Sequence, residues 1–396
     1  MARRGRGEGS IYRRDDGTWV AVIHLGWHDG KRRRKYLYAR TRAEVRDKYR
    51  KAQRALEEGR SLGDDRQKVG QYLEWWLSQA LPGTVRDTTV VSYRGALRAN
   101  VIPHIGHIRL SKLTPQHVQA MLTAIQDKGL SARTAKYAHA VLRRALGQAE
   151  RWGMVTRNVA TLVEPPRAVR PEVRSLKPDE VHTLLDAARG DRFEAILTVA
   201  IAVGLRRGEA LGLRWSDIDL EAAVLRVRRA LVYVDGDLRF VDPKTKRSRR
   251  TIPLPSVSIQ ALREHRRRQA AERLAAGPAW EDDDLVFPSA TGGPMDPNNL
   301  GRHFRALCDR AGIGRVRLHD LRHTCASLLL AQNVHPRVVM EILGHSGIAI
   351  TMDTYSHVLP ELQREAADRM DQALGYTDTD DEEQDPPEPD LGIDGA

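Results

Sequence analysis

The sequence predicts a multidomain chain: a small N-terminal β-sheet plus helix module, an all-α domain, and a mixed, mainly α domain with a small antiparallel sheet. Three observations predict it. Two β-rich runs, TWVAVIHLGW and RRRKYLYA, flank an Asp-Gly in residues 18–39. Apolar residues recur at helical spacing through residues 67–163. A proline-dense stretch, EPPRAVRPE at 164–172, then breaks the pattern, and helical and strand-like segments mix beyond it. The expected parts are a module at 1–62, a helical domain at 67–163, a linker at 164–172, a mixed domain at 173–375 and a tail at 376–396.

Each element has a local reason. After the first hairpin comes TRAE: Thr41 can cap a helix, Glu44 closes a capping box, and Val45, Tyr49, Ala52 and Leu56 follow at helical spacing. The exposed face of the sheet is expected to carry Lys31, Arg32, Arg33, Arg34 and Lys35. In the second part Tyr72, Trp75 and Trp76 read as core aromatics. Thr114-Pro115 reads as a cap with proline at the first helical position, followed by the stripe Val118, Met121, Leu122 and Ile125. A long pattern runs from Ala132 to about Trp152, where Gly153 can end it. Beyond the linker a helix opens with Pro178, Asp179 and Glu180 and carries Val181, Leu184, Leu185 and Ala188. Residues 192–220 read as helical, 223–254 as strands around an Asp235-Gly236 turn, and 296–375 as mainly helical.

Composition narrows the function classes. The net charge of +12 and a pI near 9.9 suit a polyanion partner such as nucleic acid. Residues 1–60 hold 18 Lys and Arg against 8 Asp and Glu, while residues 377–396 hold 9 Asp and Glu and no Lys or Arg. An acidic tail behind a basic body reads as a solvated end, with mimicry of DNA as the sharper alternative. No apolar run approaches the roughly 18–20 residues of a membrane span, and no apolar stretch follows the basic MARRGRGEGS as in a signal peptide. Cys308 and Cys325 form no spacing motif, so a reducing, cytoplasmic setting is expected.

Four stretches could carry chemistry. In VGLRRGEALGLRWSDIDL, Arg206 stands where a helix begins, a place suited to an anion, and Glu209 one turn on can hold its guanidinium; a surface ion pair is the plainer reading. In VDPKTKRSRRTIPL, five cations lie between strand-like runs, and Lys244 or Lys246 could give a proton to a leaving oxygen; a solvated basic loop or phosphate backbone binding is the alternative. In LHDLRH, His319 and His323 resemble the helical zinc pair of metalloproteases. Arg322, beside His319, favours a phosphate over a metal, because a fixed cation attracts anions. In LGHSGIAITMDTYSHV, Gly344 ends a helix, His345 sits in the turn and Tyr355 follows ten residues later. Surrounding cations can make such a tyrosine a nucleophile, although most tyrosines are half-buried packing groups.

The order of these motifs carries more than any one of them. Arginine in G-L-R, lysine in P-K-T, His-x-x-Arg, then L-G-H-S and a tyrosine resemble the tyrosine recombinases of the phage integrase family. The flanking letters LHDLRHT, LGHSGI and DTYSHV match as well. Upstream, NVIPHIGHIRLSKLTPQHV and GLSARTAKYAHAVLRRALGQAERWG resemble the family's core-binding domain, and the first 60 residues its arm-type DNA-binding module. Asn158-Val159 departs from an expected Asn-Pro.

The resemblance implies a site-specific integrase that clamps double-stranded DNA at core and arm attachment sites. It implies Arg206, Lys244, His319, Arg322, His345 and the nucleophile Tyr355 as catalytic residues, Glu209 in support, and Lys31–Lys35 and Lys246 on DNA. It further implies a 3′-phosphotyrosyl link, a Holliday junction and a homotetramer on DNA, with no metal, ATP or other cofactor. An excision or directionality factor is a further expected partner, in a bacterial, nucleoid-associated setting. Lys246 rivals Lys244 as the acid, and Tyr376 is a distant rival for the nucleophile. A non-catalytic DNA-binding protein, a metal-dependent hydrolase and a resolvase of chromosome dimers are the competing classes. The full set of six residues, a chelator test and the extra N-terminal module, respectively, discriminate them.

Overall fold

Strand alternation organises the N-terminal module of the structure, a computed structural model describing residues 11–28, 31–57, 66–169, 174–243, 248–344, 347 and 359–374. Strands β1 (Ile11–Arg13), β2 (Trp19–His28) and β3 (Lys31–Ala39) form an antiparallel sheet in chain order, with an irregularity between His24 and Trp27. Trp19 pairs with Ala39 and Ala21 with Leu37, and this face meets helix α1 (Arg42–Glu57) through Val45 and Tyr49. Thr41 Oγ1 accepts from the Glu44 N–H at 3.2 Å, which starts α1. The other face presents Tyr36, Tyr38 and the exposed Arg34.

That alternation corrects one expectation. The run Lys31–Lys35 cannot lie on one face, because successive strand residues point to opposite sides. Arg34 is exposed with Tyr36 and Tyr38, whereas Lys35 is half-buried on the side of Leu37 and Ala39. The side chains of Lys31, Arg32 and Arg33 lie outside the described residues.

The chain divides into two compact units, Met1–Pro171 and Glu172–Ala396. The first also holds a helical bundle with its own core. Its helices are α2 (Val69–Trp75), continued by a π turn at Trp76–Ala80, α3 (Asp87–Asn100), α4 (Ile102–Ile105), α5 (Pro115–Asp127) and α6 (Ala132–Arg151). Thr114 caps α5, whose Val118, Met121, Leu122 and Ile125 are all buried. Tyr72 is fully buried and donates its hydroxyl to Ala145 O at 2.6 Å, tying α2 to α6. Trp76 is buried too, but Trp75 is not a core residue. It is 40% exposed and lies edge-on to Trp152, because adjacent helical residues point about 100° apart and Trp76 takes the core-facing position. Asn158 caps a short turn at Val159–Leu162 by accepting from the Ala160 N–H, so this position is held without a proline.

The second unit opens with α7 (Pro178–Ala188), α8 (Glu194–Val203) and α9 (Arg207–Leu211). Strands β4 (Ile218–Asp219), β5 (Val224–Val227), β6 (Ala230–Val234), β7 (Asp237–Val241) and β8 (Arg250–Pro253) follow. They form two sheets, β4-β5-β8 and the hairpin β6-β7. The hairpin turns at Asp235 and Gly236, both with positive φ, as a tight two-residue turn requires. Residues 192–220 are therefore not all helical: the segment ends in a 3-10 turn at Trp215–Asp217 and in β4, where pairing with β5 satisfies the backbone.

Next comes α10 (Ser256–Ala276), a 21-residue helix without a clear sequence signal. Its buried stripe is Ser258, Ala261, Leu262 and His265, too small and polar to stand out. Helices α11 (Pro297–Arg310), α12 (Asp320–Ala331), α13 (Pro336–Leu343) and α14 (Leu359–Ala373) complete the unit. The apolar α8 runs through its core, buried at every position from Ala195 to Ile201. Among the described residues no helix is long and apolar enough to cross a membrane.

Candidate active site

Two glycines set the geometry. Gly204 ends α8 and Gly344 ends α13, both in the left-handed region with φ of 64° and 65°. Each closes its helix abruptly and leaves carbonyl groups at the negative end of the helix dipole. Arginines occupy those ends. Arg322, in the first turn of α12, donates from Nη1 to Gly204 O at 2.7 Å and from Nη2 to Leu343 O at 2.6 Å. Arg206, the residue before α9, donates from Nη2 to Gly344 O at 3.0 Å. Three sequence-distant segments, Gly204 to Arg206, the start of α12 and the end of α13 at Leu343 and Gly344, are thereby brought to one place.

Glu209 is the hub beneath them. It is 5% exposed, and its Oε1 accepts from Arg206 Nη1 at 2.7 Å while its Oε2 accepts from the Arg206 backbone N–H at 3.1 Å. A second arginine, Arg250 on β8, donates to Oε2 at 3.0 Å. Burial alone would raise the Glu209 pKa, but the Arg250 charge and hydrogen bond, then Arg206, outweigh it and hold the carboxyl below its ordinary range. The carboxylate therefore stays ionised, and the cluster keeps a net positive charge for an incoming anion.

His319 stands directly before α12 and is exposed. The crowding around its ring, and then Arg322, push its pKa below the ordinary histidine value against the pull of Asp320. The His323 ring meets the His319 ring edge to face at 5.2 Å. Its pKa is depressed to about 4, by burial first and then by His319. Both rings are thus neutral near pH 7. Asp320 is not aimed at them: it accepts from the Arg317 backbone N–H at 2.8 Å and from the Arg317 guanidinium at 2.8 Å. Among the described residues no three His, Cys, Asp or Glu side chains converge as a metal site. Cys325, buried next to this region, has its thiol pushed up to about 12 by burial, so it stays protonated.

Of the expected site residues, the structure brings together Arg206, Glu209, His319 and Arg322. Lys244, Lys246, His345 and Tyr355 lie outside the described residues, as do Tyr376 and the acidic tail. Arg250 was not singled out from the sequence, where it was one of five cations in a basic run. A signal was present, though. Arg250 is in phase with Ile252, which is 2% exposed, so alternation along R-T-I-P turns this arginine inward. Beside it, a cleft of about 640 Å³ is lined by Arg226, Arg228, Arg229, Arg249 and Arg250.

Comparison with known proteins agrees with this arrangement. Residues 174–361 match the phage integrase family, and residues 68–125 match the N-terminal SAM-like domain of phage integrases. An integrase of Streptomyces ambofaciens is 33% identical over 91% of this chain and 95% of its own length. A XerC-like tyrosine recombinase of Caldanaerobacter subterraneus subsp. tengcongensis is 30% identical over 86% of this chain and 92% of its own. The fold resembles that of the Tn1549 transposon integrase, solved in complex with transposon right end DNA. The TM-score is 0.65 at 22% identity, covering 76% of this chain and 99% of that one.

Proposed function

The chain belongs to the phage integrase family of tyrosine recombinases and is a site-specific recombinase of a phage or mobile element, and from that premise we propose how its residues cut and rejoin DNA. The observation that carries the reading is the convergence of Arg206 and Arg322 on the consecutive carbonyls Leu343 and Gly344. Two cations from distant motifs are fixed beside the turn that leads into His345.

In this reading Arg206, Arg322 and a hydrogen bond from His345 hold the scissile phosphate and offset the charge that develops on its oxygens. Tyr355 attacks phosphorus, giving its proton towards the neutral His319. A new P–O bond to the tyrosine forms as the bond to the 5′ oxygen breaks, and Lys244 protonates that oxygen. A 5′ hydroxyl of the exchange partner later attacks the phosphotyrosine and restores the tyrosine. One phosphodiester-type bond is exchanged for another, so rejoining needs no ATP. Lys246 is the alternative acid. His323 packs on His319 and keeps its ring in place.

Double-stranded DNA is the partner class. Core sites are assigned to the helical domain at 67–163 and the mixed domain at 173–375, and arm sites to the module at 1–62. The exposed Arg228 and Arg249 of the cleft beside β8 suit a sugar-phosphate backbone, and Arg34, Tyr36 and Tyr38 on the outer sheet face suit a DNA groove. Assembly as a homotetramer on DNA fits the exposure of Met370 on α14 and of Leu374 directly after it, apolar positions that a neighbouring copy would cover. An excision factor would add direction to the reaction.

A nicked suicide substrate tests the chemistry. The wild-type chain is expected to form a covalent DNA adduct, and Tyr355→Phe to bind the same DNA without one. An adduct from the Phe variant would pass the nucleophile to another residue, with Tyr376 the first to examine.

A further inference from the structure

Arg250 completes a set of three arginines on three consecutive carbonyls. It donates from Nε to Ile342 O at 2.6 Å, Arg322 donates to Leu343 O and Arg206 to Gly344 O. Its remaining bonds run from Nη2 to Glu209 Oε2 at 3.0 Å and from Nη1 to Ser248 O at 3.2 Å. All three guanidinium nitrogens end on protein acceptors, and the side chain is only 7% exposed. Arg250 is therefore committed to the protein framework at every guanidinium nitrogen. Two of its acceptors, Glu209 and Ile342, nonetheless adjoin groups that Arg206 and Arg322 hold.

We infer that Arg250 is a positioning residue for DNA cleavage, holding Glu209 and the end of α13 so that Arg206 is aimed at the scissile phosphate. The inference rests on the family reading above. The Glu209 side chain is 4% exposed, and a carboxylate so desolvated must be paired. Arg206, at 38% exposure, is the partner that has to divide itself between Glu209 and a substrate. Arg250 takes a share of the carboxylate and stays there. Without it, Glu209 would draw the Arg206 guanidinium inward or take up a proton, and the carbonyl of Ile342 would lose its donor. Either change displaces Arg206 and the turn at Gly344 from the phosphate. Displacement by about 1 Å at a reacting centre costs on the order of 100-fold in rate. A pair serving stability alone would lower the unfolding temperature and leave no mark on the chemistry.

The test uses the full chain and single-turnover cleavage of a suicide substrate. Adduct formation by the wild type establishes the reading beneath the inference, and its absence would sink that reading rather than the role of Arg250. Arg250→Gln is expected to bind core DNA as the wild type does and to cleave about 100-fold more slowly. Combined with Arg206→Ala, it should add little further loss, since it acts through Arg206. A substrate whose scissile phosphate carries a methyl group in place of a non-bridging oxygen has no charge there for Arg206 to offset. On it the deficits of Arg206→Ala and Arg250→Gln should shrink together. Undiminished cleavage by Arg250→Gln on ordinary DNA would overturn the inference, as would a deficit that persists in full on the neutral substrate. Arg250→Lys keeps a cation but loses the three-way fork, so it should stay slow, and it carries the same comparison if the Gln variant unfolds.

Discussion

Arg206 and Arg322 are both arginines of the cleavage site, yet their surroundings differ. Arg322 is 2% exposed and spans two helix ends, while Arg206 retains substantial exposure beside Glu209. Both are held before any substrate arrives, which is the condition for strong electrostatic stabilisation of a transition state. Arg206→Ala and Arg322→Ala should each lower the cleavage rate by about 100- to 1,000-fold, equivalent to roughly 2.7–4 kcal/mol, with a much smaller loss of DNA affinity. Comparing single-turnover rates with binding isotherms checks this; equal losses in both would mean that the arginines only grip the backbone. Because burial bridges α8, α12 and α13 through Arg322, its variant should also lower the melting temperature more than the Arg206 variant does. The His319–His323 pair adds a pH dependence. The folded-state pKa of His323, about 4, lies below its ordinary value of 6.5, so the unfolded chain binds more protons in that interval. Its contribution to stability is complete above pH 6.5 and is lost as pH falls towards 4. The unfolding temperature should therefore drop more between pH 7 and 5 for the wild type than for His323→Gln, and parallel profiles would show that His323 is not the group responsible.

At the scale of elements, the site is made by the ends of helices rather than by their faces. Gly204 is the clearest case. A Cβ at this position would overlap Leu343 Cδ2 and press on Cys325 Sγ at 3.3 Å, and the φ of 64° disfavours any side chain. Holding a non-glycine residue in the left-handed region costs about 1–2 kcal/mol before any overlap is counted. Gly204→Ala should reduce stability and slow cleavage together, because Gly204 O accepts from Arg322 and Leu343 lies beside it. Thermal unfolding and adduct formation measured on one preparation test the coupling; a stable variant with unchanged cleavage would show that this seam tolerates movement. The capping residue Thr114 and the glycine caps were both readable locally, since helix termini depend on the few residues around them. Helix α10 was not, because its buried stripe of Ser258, Ala261, Leu262 and His265 is set by what packs on it.

For the whole molecule, the N-terminal module has a core of its own, Ala21, Ala39 and Val45 with their neighbours, separate from that of the helical bundle. Removing residues 1–60 leaves Arg206, Glu209, Arg250, His319 and Arg322 untouched. The shortened chain should still cleave an isolated core site. It should bind long substrates less tightly and with a shallower salt dependence, because fewer phosphates are neutralised. Full integration should fall as well, since arm contacts raise the effective concentration of the assembling partners. Footprinting with and without residues 1–60 decides the matter: identical protection outside the core would refute the arm-binding role.

The sequence by itself determined the family, the order of the motifs, most helices and the turn at Asp235-Gly236, because these depend on short-range spacing and on backbone preferences of a few residues. It also placed Glu209 correctly under Arg206, a one-turn relation internal to α9 and its cap. It could not say that Trp75 is exposed while Trp76 is buried, or that Arg34 rather than Lys35 faces solvent on β3, without knowing which face meets the core. Above all, only the tertiary structure decided that Arg250, marked in the sequence by no more than its phase with Ile252, shares Glu209 with Arg206. The physical reason is that a charge is buried only where distant segments bring it compensating partners. Those partners, Glu209 and Ile342, stand 41 and 92 residues away from it along the chain.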